Sequence, residues 1–136
     1  MTIWNQTDWQ SGNPDMDAEH RKLNQMVASL NAVVANDSGI GLDVEAADIL
    51  HERMRLHFQL EESSARKSDS EAAAILHEDH ARLLGLLTQI RAAMAKGDKA
   101  AAKDQLRSFN SELAKHDAEI DIPLFRMISK ARDPLT

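Results

Sequence analysis

Four stretches of the chain repeat apolar residues at intervals of three and four, the spacing that gathers them on one face of a helix. The first carries Leu23, Met26, Val27, Leu30, Val33 and Val34. Asp15 or Asp17 can cap it, and Asp37-Ser38-Gly39 closes it, with Gly39 or Gly41 as the breaker. The second begins near Asp43 and runs past Glu62, turning Val44, Ala47, Leu50, Met54, His57 and Glu61 inward. The polar run from Ser63 to Ser70 reads as a loop, and Ser68 or Ser70 can cap the helix after it. That third helix carries Ile75, Leu76, Leu83, Leu84, Leu87, Ile90 and Met94 and stops at Lys96-Gly97. Asp98 caps a fourth through Leu106, Phe109, Leu113, His116 and Ile120. Pro123 must end or kink it, because proline cannot donate to the carbonyl of Glu119 and collides with it.

Helices over about 17–37, 43–64, 69–96 and 98–122, joined by short turns, predict an all-α, antiparallel up-down-up-down four-helix bundle. With no repeat or composition break, residues 1–136 form one domain. Residues 1–16 hold Trp4, Trp9 and the turn-rich Ser11-Gly12-Asn13-Pro14, and are expected to form an arm packed by its indoles onto the helices. The C-terminal tail, Ile122-Pro123-Leu124-Phe125, is expected to cover one end of the bundle.

Composition narrows the chemistry. The absence of cysteine removes disulfides, zinc–thiolate sites, iron–sulfur clusters and thiol catalysis together. A net charge of −6 leaves no electrostatic footprint for nucleic acid. Met1-Thr2-Ile3-Trp4 does not start a signal sequence and no 18-residue apolar run follows, so the expectation is a cytoplasmic protein away from the membrane.

What remains is histidine. His57 and Glu61 lie one helical turn apart within Leu56-His57-Phe58-Gln59-Leu60-Glu61-Glu62, where the apolar neighbours suggest an inward-facing site. An imidazole and a carboxylate so placed suit iron, manganese or zinc. His20, His80 and His116 fall on the other three helices with apolar residues beside them, and a bundle brings such positions to one level of its core. His51, six before His57, is about 240° away and should stay on the surface. Met26, Met54, Met94 and Met127 read as core filler; Glu62 reads as a solvated or supporting carboxylate; Asp117 and Glu119 should face water. Asp17 can be a cap or can hold the imidazole of His20.

Trp4, Met16-Asp17-Ala18-Glu19-His20-Arg21-Lys22-Leu23, His57-Phe58-Gln59-Leu60-Glu61-Glu62, and His116 with Asp121 five residues on together resemble a bacterial hemerythrin over essentially the whole chain. The resemblance implies a four-helix bundle that binds O2 reversibly at two iron ions, Fe2+ or Fe3+, bridged by carboxylates and an oxo or hydroxo group. It implies that His20 and His57 ligate one iron, His80 and His116 the other, and that Glu61 and Asp121 bridge them. Shared anionic oxygens offset the repulsion of two cations in a low-dielectric core. His116 and Asp121 stand about 140° apart on a regular helix, so Pro123 is expected to loosen the turn at Glu119–Ile120 and let Asp121 swing inward.

The chain departs from that pattern in its third helix. The family offers His-x-x-x-His there, and the first of those positions is Leu76. Either the neighbouring His77 substitutes, in Leu76-His77-Glu78-Asp79-His80, or Leu76 points inward and water or Glu78 fills the gap. An oxygen carrier, store or delivery protein, or a sensor, is the leading function, with Leu23, Leu60, Leu83 and Leu113 as candidates for a dry pocket lining and an unidentified redox or oxygenase protein as partner. A site short of ligands would instead suit an enzyme that reduces peroxide or O2 or handles nitric oxide. The third alternative is a metal-responsive interaction module.

Overall fold

A computed structural model describes residues 11–36 and 42–132. Trp4, Trp9 and the expected breaker Asp37-Ser38-Gly39-Ile40-Gly41 lie outside them. The described residues are helical and contain no strand: α1 (Pro14–Asn36), α2 (Leu42–Arg66), α3 (Ser70–Ala95), α4 (Lys99–His116), a π-helical turn (Asp117–Asp121) and α5 (Ile122–Arg132). The first four helices pack as a bundle, each against its neighbour in sequence and α1 against α4.

The caps are local and mostly not those expected. Asn13, rather than Asp15 or Asp17, opens α1: its side-chain oxygen accepts from the N–H groups of Asp15 at 3.1 Å and Met16 at 3.2 Å. Pro14 follows at the first helical position, where its missing N–H is harmless. Helix α1 therefore takes in three residues of the expected arm. Asp17 turns back to Ser11, accepting from its N–H at 2.9 Å and its hydroxyl at 2.7 Å. Asp69, rather than Ser68 or Ser70, caps α3, and Asp98 caps α4. At the end of α3, Gly97 takes φ +76°, and the N–H groups of Gly97 and Asp98 close on the carbonyls of Met94 and Ala93.

Two apolar clusters make the core. The larger draws on Leu23 to Leu30 of α1, Ala47 to Phe58 of α2, Leu83 to Met94 of α3 and Ala102 to Leu113 of α4. The smaller comprises Ala65, Ala73, Leu76, Phe125 and Ile128, with Met16, Ile120 and Leu124 against it. Along each helix a buried polar residue separates the two: His20, Glu61, His80 and His116. The stretch after Pro123 is a helix, not an irregular tail, and it contributes Phe125 and Ile128 to the smaller cluster. Leu56 and Leu60 are 45% and 67% exposed, so of the apolar neighbours of His57 only Phe58 faces the core. Leu60 is thereby removed from the expected dry lining.

Candidate metal centre

Helix α2 supplies the middle of the site. His57 and Glu61 share its inward face, with Nε2 of His57 3.1 Å from Oε1 of Glu61. From α1, His20 Nε2 reaches Glu61 Oε2 at 3.2 Å and Asp121 Oδ2 at 2.8 Å. From α3, His80 Nε2 stands 3.5 Å from Glu61 Oε1. His116 of α4 packs its ring 4.9 Å from that of His80. None of these six residues is more than 3% exposed.

Asp121 arrives through the π turn. The N–H of Ile122 bonds to the carbonyl of Asp117, five residues back, so the turn holds one residue more than an α-helix. Residues five apart then return to one side, which brings Asp121 round to the side of His116. Pro123 lies just beyond, with no N–H to close a regular turn onto Glu119.

The donor atoms form three overlapping sets: His20, His57, Glu61 and Asp121; Glu61, His80 and His116; His116, Asp117 and Asp121. Within each set they lie no more than 4.8 Å apart. Nε2 of His57, His80 and His116, Oε1 of Glu61 and Oδ2 of Asp117 are buried without a hydrogen-bond partner. Each such atom costs about 1–3 kcal/mol when left unsatisfied, and a cation shared among them would remove that cost. Imidazole and carboxylate without thiolate suit iron, manganese or zinc. The residues present fit a bound metal.

The model of the hemerythrin HHE cation-binding domain matches residues 11–128. The chain belongs to the hemerythrin HHE family. Comparison with curated proteins found no match, and neither did comparison with solved structures.

This hemerythrin-family chain does not bring His77 into the centre. The His77 side chain is 73% exposed, and its Nδ1 lies 2.7 Å from Glu62 Oε1. Leu76 is fully buried in the smaller apolar cluster, and Glu78 is exposed. Helix α3 therefore offers the donor sets His80 alone. Asp117, expected in water, is 3% exposed and joins a donor set. It continues the regular backbone of α4, one residue past His116, and the π turn that follows leaves no apolar repeat from which its burial could be read. His51 is half-buried and belongs to none of the sets.

A second layer of carboxylates orients the histidines. Glu62, 8% exposed, accepts from His80 Nδ1 at 2.8 Å through one oxygen and from His77 Nδ1 through the other. Asp79 accepts from His116 Nδ1 at 2.6 Å and is held from outside by Arg82, which also bonds to Glu112. An ionised carboxylate only accepts, so each bond puts the ring proton on Nδ1 and leaves Nε2 as a bare lone pair facing Glu61 or its neighbours. Phe58 locks the ring of His80 from one side, stacked at 3.8 Å and nearly parallel.

Burial and charge divide the protons of the metal-free centre. Burial would raise the Glu61 carboxyl, but the charge of His57 beside it, together with the adjoining Asp121 and the hydrogen bond from His20, holds it well below the usual range. Asp121 is pushed well above that range by burial and then by the charge of Glu61. Asp117 is pushed up by burial, against the pull of His20. Burial lowers His20, yet its hydrogen bonds to Asp121 and Glu61 carry it well above the ordinary imidazole value. His80 and His116 are lowered, chiefly by burial.

Two surface grooves reach the flanks of the centre. One, of about 610 Å³, runs between α1 and α2 past Met16, Arg53, Leu56 and His57. The other, of about 400 Å³, lies between α2 and α3 beside Phe58, Glu62, His77 and His80. No helix among the described residues is long and apolar enough to cross a membrane.

Proposed function

We propose that this chain is a di-iron protein that binds O2 reversibly in the core of an antiparallel bundle. The observation that carries the reading is the pair of donor sets that share Glu61, one holding His20, His57 and Asp121 and the other His80 and His116. Two cation positions with a common carboxylate need such an arrangement, because the shared anion offsets their repulsion. The order of the two apolar clusters supports the antiparallel course: it runs from smaller to larger on α1 and α3, and from larger to smaller on α2 and from α4 through the π turn into α5.

Two iron ions held there would supply the electrons that O2 takes up and returns. The chain's own residues do the rest. His20, His57, His80 and His116 would present imidazole nitrogens to them, and Glu61 and Asp121 would present carboxylate oxygens. Glu62 and Asp79 keep the ring protons of His80 and His116 on Nδ1, away from the metals. The larger cluster, with Leu23, Leu83, Phe58 and Leu113, and the smaller, with Leu76 and Phe125, exclude water from both sides of the polar layer.

The test is an optical spectrum of protein loaded anaerobically with two ferrous ions per chain, before and after O2 is admitted. A visible band that forms with O2 and vanishes under vacuum is expected. A band that decays irreversibly would move the reading to an iron enzyme that consumes O2 or peroxide, which the single histidine donor on α3 favours. Failure to take up iron would refute both.

A further inference from the structure

The two donor sets around Glu61 are unequal. The first holds four residues, His20, His57, Glu61 and Asp121; the second holds three, Glu61, His80 and His116. The acidic and histidine side chains nearest the second set are committed elsewhere. His77 faces solvent and Glu62. Glu62 spends one oxygen on His77 and the other on His80. Asp79 spends one oxygen on Arg82 and the other on His116. Among the described residues, Asp117 is the one carboxylate outside those two sets with a buried oxygen that has no hydrogen-bond partner. It is 3% exposed, and its donor oxygen lies within 4.8 Å of donor atoms of His116 and Asp121.

We propose that Asp117 is a metal ligand, the fourth protein donor to the ion held by Glu61, His80 and His116. The π turn makes this geometry available. It begins at Asp117, whose carbonyl takes the N–H of Ile122, so the same widened turn that carries Asp121 inward anchors the backbone of Asp117 beside His116. The donor Leu76 cannot provide from α3 is thus supplied from the end of α4. It arrives as an oxygen anion and not an imidazole, which makes the second position harder and more negative than an imidazole from α3 would have made it. Two ions would then each be held by two imidazoles and two carboxylates with Glu61 in common, three carboxylates and four imidazoles in all.

The inference rests on the two-ion reading above, and the experiment separates their failures. Metal-free wild type, Asp117→Asn and Asp117→Leu are titrated anaerobically with ferrous ion alone, by calorimetry. Wild type should take up two ions per chain. Both variants should keep one site within about twofold of wild type and weaken the other by at least about tenfold, as losing a ligand does where losing its support already costs about 10–100-fold. The melting temperature of the metal-free variants should equal or exceed that of wild type, since each removes a buried acid without a partner. Two sites of wild-type affinity in both variants would overturn the role of Asp117 and leave the di-iron reading standing. A wild type that takes up no iron would overturn both.

Discussion

Glu62 offers the sharpest test of how the centre is held. Its carboxylate accepts from His80 Nδ1 at 2.8 Å and from His77 Nδ1 at 2.7 Å. In Glu62→Leu, the buried Nδ1–H of His80 loses its acceptor, at a cost of about 1–3 kcal/mol. The ring can escape that cost by moving the proton to Nε2, but Nε2 is the atom that faces Glu61, and a protonated nitrogen has no lone pair for a metal. Either way the penalty falls on binding. A loss of about 10–100-fold in metal affinity, or about 1.4–2.7 kcal/mol, is expected at the position served by His80. The position served by His20 and His57 should stay within about twofold. His77→Ala is the internal comparison: that side chain is 73% exposed, and an exposed pair is worth about 0.2–1 kcal/mol before the bond from His80 to Glu62 is touched. Competition for ferrous or manganous ion against a chromophoric chelator reads both variants. Equal losses in the two, or no loss in Glu62→Leu, would refute the assignment of Glu62 as the group that sets the proton of His80.

Metal uptake near neutral pH should release protons, because Asp117, Asp121 and His20 all titrate above their ordinary values while Glu61 is already ionised and His80 and His116 already neutral. Affinity should therefore climb as pH rises above the ordinary carboxylate range. Calorimetry in buffers of different ionisation enthalpy measures the release, and net proton uptake would contradict it. Pro123→Ala restores the N–H that a regular turn needs, and should lower iron affinity at the position served by Asp121 with little change in total helicity; unchanged affinity would remove Pro123 from any part in the π turn. Phe109, fully buried in the larger cluster, should cost about 3–5 kcal/mol when cut to alanine. Denaturant unfolding of the metal-free protein checks this, and a loss below about 1 kcal/mol would mean that the cluster collapses around the gap.

Periodicity was enough to find four helices and to turn His20, His57, Glu61, His80 and His116 toward one core, because on a regular helix a residue's direction follows from its distance to the apolar repeat. Family resemblance added Asp121 where spacing alone pointed it away. What spacing could not reach was whatever broke the regular helix or depended on a second element. Asp121 faces inward only because one extra residue is accommodated between His116 and Ile122, and Asp117 is buried at the point where α4 gives way to that turn. The choice between Leu76 and His77 turned on packing: an apolar side chain fills the smaller cluster against α5, and its polar neighbour goes out to Glu62. Leu60 carries the right residue type at a position that tertiary packing leaves in solvent. Local chemistry is written in the order of residues, but which donors meet is a matter of the distances between helices, and those exist only once the chain has folded.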